Sequence, residues 1–242
     1  MISSMPHQES LVATTAMWMM MMTVMMLPAI TPWVLGFAAL SRGRGDGSGG
    51  GGGGIRRGWV TLFALGYAVV WTGFSVVAAS LQVGLQGWGL MGTAMAMGTT
   101  SGAPLTLTTA AAMTWPSVLG SSPALGASLG GVVLIGAGLY QAAPAKATCL
   151  EHCRTPLSYF LTHWRNGPGG AFRMGLSHGA FCVGCCWAFM ISGFALGLMS
   201  LVWMGGFTAI IAIENLAPHG KRIGRAAGAA MVLLGLTLVT GF

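Results

Sequence analysis

Five cysteines, Cys149, Cys153, Cys182, Cys185 and Cys186, fall within the window 149–186, and His152, His163 and His178 share it. They form two groups. The first is CLEHC, Cys149 to Cys153; on a helix its two cysteines lie one turn apart on one face, with His152 beside them. The second is HGAFCVGCC, His178 to Cys186. At about 100° per residue, His178, Cys182, Cys185 and Cys186 project at roughly 0°, 40°, −20° and 80°, so they make one ligand-bearing stripe. Thiolates with imidazole suit copper(I), zinc or an iron–sulfur cluster. The odd cysteine count of 5 speaks against a simple disulfide framework. A single Cys in an apolar helix is ordinary packing; five clustered with His point to metal ligation, with copper(I) first and zinc second.

Two weaker groups accompany these. Met17, Met19, Met20, Met21, Met22, Met25 and Met26 crowd one short stretch, and thioethers suit copper(I). Met is also a flexible apolar filler, so of these only Met21, Met22, Met25 and Met26 are carried as lesser metal candidates. Met91, Met95 and Met97 are a fainter hint of the same kind. Glu214 is the acid within a late apolar segment; it could neutralise a metal, carry a proton, or pair with Lys221 or Arg222.

The elements that must position these groups belong to a membrane. Only 6% of residues are charged and 54% are hydrophobic; a soluble domain carries about 25% charged residues. Mean hydropathy is +0.74. The expected fold is all-α, a polytopic transmembrane bundle of about six spans near 11–40, 59–83, 119–140, 175–198, 200–217 and 224–242, each close to the length that crosses the hydrocarbon. Between the first two lies a Gly-rich loop, 41–58, with Arg42, Arg44, Arg56 and Arg57. Residues 84–118, apolar but rich in Gly, Thr and Ser, read as an outer loop or re-entrant segment. Residues 141–174 read as a polar Cys/His loop.

The net charge is +7, and ten of the eleven basic residues fall in 41–58, 141–174 and 218–224. With six spans these loops share one side, which the positive-inside rule makes cytoplasmic, and both termini lie outside. The charge therefore reads as orientation rather than a nucleic-acid surface. The N-terminus lacks a basic leader region, so the first span is expected to be retained. The expected site is the bacterial inner membrane, with both cysteine groups on its cytoplasmic side, where thiols stay reduced.

The motifs GYAVVW (66–71), GLYQAAPAKATCLEHCRTP (138–156), RMGLSHGAFCVGCCWAFM (173–190) and IENLAP (213–218), with the Met25, Met26, Pro28 stretch, resemble a bacterial family of unknown function described as predicted metal-binding integral membrane proteins. The resemblance runs over most of the chain. It implies ligand roles for Cys149, His152, Cys153, His178, Cys182, Cys185 and Cys186. The chain departs from the family at Asn215, where a basic residue is common, and in the Gly run and 84–118.

The leading expectation is an integral membrane protein that binds copper(I), or zinc, for transfer, storage or transport, with a metallochaperone or cuproenzyme complex as partner. One alternative is a membrane thiol–disulfide oxidoreductase using Cys182 and Cys185, which have redox spacing. Another is an accessory subunit of a larger membrane complex. Haem is less suited, since no CxxCH motif is present. No phosphate-binding loop or HExxH motif appears, so no catalytic residues are assigned and an ATP-driven pump is not expected from this chain alone.

Overall fold

The computed structural model describes residues 5–43, 52–87, 123–196 and 201–240. All their regular structure is helical: α1 (Met5–Gly43), α2 (Gly52–Gly87), α3 (Pro123–Ala142), α4 (Pro144–Arg154), α5 (Pro156–Thr162), α6 (Gly167–Leu196), α7 (Leu201–Leu216) and α8 (Gly220–Thr240). Four stretches are long and apolar enough to cross a membrane: Leu11–Ser41, Gly58–Leu85, Gly167–Gly193 and Gly220–Thr240. Leu129–Ala142 and Met204–Leu216 are apolar but shorter.

The bounds depart from the sequence reading in three places. Helix α2 begins at Gly52, inside the expected Gly-rich loop, of which 44–51 lie outside the described residues. Residues 84–87 finish α2, and 88–118, with Met91, Met95 and Met97, lie outside the described residues. The expected loop 141–174 is largely helical. Ala143 is extended (φ −67°, ψ 143°), and Pro144 starts α4. Thr155 breaks the helix (φ −120°, ψ 57°), and Pro156 starts α5. Proline at a first helical position lacks only an N–H that would have no partner there. Gly167, at φ +80°, turns the chain into α6 in a conformation that glycine adopts without strain. Helix α6 thus starts eight residues before the expected span, and Cys182 lies near its middle rather than near its end.

Glycines set the closest contacts. A Cβ at Gly175 of α6 would meet the carbonyl of Phe63 in α2, and one at Gly179 would meet Tyr67 and Val70. The register rises in both helices, so α2 and α6 run parallel. Gly131 meets Gly235 and Gly138 meets Gly228, so α3 and α8 run antiparallel. Small residues allow such backbone approach.

The distribution of polarity is inverted relative to a water-soluble domain. Val12, Leu35, Val77, Leu139 and Leu233 are each more than 60% exposed. Lys146, Glu214, His178, Gln82, Gln141 and Ser75 are buried. Water penalises exposed aliphatic surface and rewards exposed charge; a lipid surround reverses both preferences.

Candidate metal centre

Three cysteine sulfurs meet where α4 packs on α6. Sγ atoms of Cys153, Cys182 and Cys185 all lie within 4.8 Å of one another, and all three residues are buried. Cys153 Sγ is 3.8 Å from Cys185 Sγ. The local sequence explains the meeting. Cys182 and Cys185 are three residues apart, so they share one face of α6. Helix α4 turns Cys153 toward that face because Lys146, Leu150 and Cys153, at spacings of four and three, are its buried residues.

The surroundings hold the sulfurs firmly. The Tyr67 hydroxyl of α2 is 3.5 Å from Cys182 Sγ. The Cys182 thiol donates to Met26 Sδ of α1 at 3.9 Å, and the Cys185 thiol donates to the Cys182 carbonyl at 3.2 Å. The Trp33 indole of α1 donates to the Cys153 carbonyl at 2.8 Å. Hydrogen bonds with Cys182 and Cys185, followed by burial, raise the Cys153 thiol well above its ordinary range. Burial also raises Cys149. Burial, followed by the neighbouring His163, lowers His152 and favours its neutral form.

The other expected ligands stand around this trio. Cys186 Sγ is 3.2 Å from Cys185 Sγ, but it is not one of the three that converge. Cys149 is partly exposed and packs against Gly184, where a Cβ would lie 2.9 Å from its sulfur. His178 and His152 are held by ring stacking. His178 lies 3.9 Å from Trp33, centroid to centroid, and His152 lies 3.9 Å from Phe181. Both His178 nitrogens and His152 Nε2 are buried without a hydrogen-bond partner. Met22, Met25 and Met26 are buried at 1–2% exposure, whereas Met21 is only partly buried.

Glu214 does not pair with Lys221 or Arg222. Its Oε1 accepts from Lys146 Nζ at 2.6 Å, and a Cβ at Gly224 would collide with its carboxylate. Lys221 pairs instead with Glu151 at 3.1 Å on the surface. Lys146 also donates to Gln141 Oε1 and lies 4.7 Å from the Phe189 ring centre. Arg154 donates to the carbonyls of Glu214 and Ala217 at 2.5 and 2.6 Å, closing the end of α7.

Sequence reasoning took Lys146 for an orienting loop charge and passed over Trp33 and Tyr67. The two prolines at 144 and 156 were the available signal that helices, not a loop, follow the third span.

The arrangement passes a simple fit test for a thiophilic ion. A metal–thiolate bond of about 2.3 Å, the zinc value, separates ligand sulfurs by about 3.8 Å in a tetrahedral array and about 4.0 Å in a trigonal one. The observed Cys153–Cys185 separation is 3.8 Å. Disulfide exchange needs an accessible thiolate, and Cys182, Cys185 and Cys186 are at most 1% exposed.

No curated protein and no solved structure gives a significant match to the chain. A family model described as PpoB2, copper chaperone, matches residues 15–119 and 108–238. Those segments contain both cysteine groups and every residue that forms the thiol trio and its surroundings. The chain belongs to the PpoB2 copper chaperone family.

Proposed function

We propose that this protein is an integral membrane carrier of copper(I), which it binds at Cys153, Cys182 and Cys185 and hands to a copper-requiring acceptor. The observation that carries the reading is the convergence of three buried thiols from two helices, all within 4.8 Å and with Cys153 and Cys185 at 3.8 Å, in a copper chaperone family member. Thiolate ligation suits copper(I), and burial of the thiols shields it from oxidation and from competing ligands. Zinc fits the same thiols by size. The family description favours copper. Burial of the thiols counts against the disulfide-exchange alternative.

The exposed aliphatic belt supports a lipid surround, in which α1, α2, α3, α6, α7 and α8 make six crossings. The parallel register of α2 and α6 supports this count, since the single crossing α3 separates them. Arg154, Lys221 and the α7–α8 turn meet at one end. The positive-inside rule assigns that end to the cytoplasm of a bacterial inner membrane. Copper taken up at this end would reach its acceptor, a metallochaperone or a cuproenzyme complex, from a site near the middle of α6.

The test is copper content and affinity of the purified, reduced full chain beside a C153S/C182S/C185S variant. About one copper(I) per wild-type chain and none in the variant is expected. Equal copper in both sinks the proposal.

A further inference from the structure

We infer that Met26 is the fourth ligand of the thiol site and the residue that makes it prefer copper(I) over zinc. This rests on the reading of Cys153, Cys182 and Cys185 as the metal-binding trio.

Seven methionines crowd α1 between 17 and 26, and their positions separate them. Met19 and Met20 face outward, at 40% and 73% exposure. Met22, Met25 and Met26 face the core. Met26 places its sulfur 3.9 Å from Cys182 Sγ. That separation is close to the 3.8 Å between two of the thiols themselves, Cys153 and Cys185. It also lies between the tetrahedral and trigonal ligand separations of about 3.8 and 4.0 Å that a metal–sulfur bond of about 2.3 Å requires. Met26 thus brings a thioether from a third helix to ligand spacing from Cys182.

The chemistry of a thioether gives this position its meaning. Each thiolate adds a negative charge among buried side chains, and burying unpaired charge is costly. Lys146, on the same buried face of α4 as Cys153, is already paired with Glu214. A thioether adds an electron pair and no charge. Thioethers are soft ligands that suit copper(I), whereas zinc is bound by thiolate, imidazole and carboxylate. The orphaned nitrogens of His178 and His152 are stacked on Trp33 and Phe181 and are not part of the converging sulfurs. The histidine nitrogens therefore do not supply the fourth place, and of the neighbouring sulfurs Met26 is the one that adds no charge, Cys186 being a further thiol 3.2 Å from Cys185.

The experiment uses the full chain, reduced and in detergent, with copper(I) and zinc each titrated against a chromophoric chelator. Leu matches Met in volume and such exchanges are tolerated in cores, so M26L keeps the packing and removes the sulfur. M22L, a buried residue one turn away, is the control. Expected are a copper(I) affinity at least tenfold weaker in M26L, unchanged zinc affinity, and wild-type behaviour in M22L. M26C keeps copper(I) and gains zinc affinity. Protein carrying selenomethionine gives a reading without substitution: copper-edge X-ray absorption shows a copper–selenium shell in the wild-type sequence and none in M26L. Equal copper(I) affinity in M26L and the wild type, or no selenium shell, overturns the role of Met26 while leaving the thiol trio standing. An equal loss in M22L reduces Met26 to packing and overturns it too. Full copper binding by C153S/C182S/C185S overturns the trio itself, a result distinct from either.

Discussion

Lys146 Nζ sits 2.6 Å from Glu214 Oε1, with both side chains only 3% exposed. The pair joins α4 to α7, and it lies two helical turns from Cys153 on the same buried face of α4. It therefore fixes the depth and rotation at which α4 presents its sulfur. Removing one partner leaves a buried charge without its counterion, which costs about 3–5 kcal/mol. E214A and K146A are each expected to lower the unfolding temperature in detergent sharply and to reduce copper occupancy. K146M/E214M, which removes both charges, recovers most of the stability. Thermal unfolding of the four proteins decides the matter; an E214A chain as stable as the wild type contradicts the latch.

The cysteines are expected to separate into two classes. C153S, C182S and C185S each remove a converging sulfur, and each is expected to weaken copper(I) binding more than tenfold, about 1.4 kcal/mol or more. Cys149 packs on Gly184 at the edge of the site and is partly exposed, so C149S keeps the copper stoichiometry and an affinity within a few-fold of the wild type. A C149S loss as large as that of C153S contradicts the assignment. Competition with a copper(I) chelator measures all four.

These two classes show how far the sequence could lead. The spacing of Cys182 and Cys185 puts them on one helix face with no structure needed, and the proximity of CLEHC in sequence brings Cys153 within reach. What the spacing does not reveal is rotation. Cys149 and Cys153 share a face by periodicity, yet only Cys153 converges, because the burial of Lys146 and Leu150 sets how α4 sits on α6. The Glu214 partner was equally hidden. Lys221 and Arg222 are near it in sequence, while Lys146 is 68 residues away and meets it only through the packing of α4 beneath α7. Among the methionines, composition marks the run, but only the facing of α1 separates Met26 from Met19 and Met20. The helical character was legible in the long apolar runs, since runs of that length with few charges favour helices in lipid, but not in 141–174, where Pro144 and Pro156 start helices within an expected loop.

Copper binding should weaken as pH falls. The Cys153 thiol is held protonated by its hydrogen bonds to Cys182 and Cys185 and by burial. A metal that takes it as thiolate must release that proton. Below the thiol pKa, each proton released makes the apparent affinity rise by about one decade per pH unit. The sign for the metal-free fold is opposite. A group whose folded pKa is raised contributes stability below its unfolded pKa, and that contribution is lost as pH rises through the folded value. Metal-free protein should therefore lose stability in alkaline buffer while the copper form gains affinity. His152 is lowered by burial, which favours its neutral form. Chelator competition between about pH 6 and pH 8 tests the first sign; a flat profile contradicts thiolate ligation by protonated cysteines.

The site also depends on how closely α2 and α6 approach. Gly175 has the Phe63 carbonyl in the place where a Cβ would stand, so any side chain there pushes the two helices apart. The displaced helix is the one that carries Cys182 and Cys185, and its neighbour carries Tyr67, which holds Cys182 at 3.5 Å. Gly73 on α2 is the control, with nothing within 4 Å of its own missing Cβ. In a helix interior, Gly is about 0.5–1 kcal/mol less favourable than Ala. G73A should therefore be neutral or slightly stabilising, with copper binding intact. G175A meets backbone atoms, which cannot rotate away as a flexible side chain can, and overpacking of this kind costs about 1–3 kcal/mol. The expected result is a destabilised G175A chain whose copper(I) affinity falls along with its unfolding temperature. A G175A chain that keeps both stability and copper affinity would mean that the parallel α2–α6 contact is not what holds the thiol face in place.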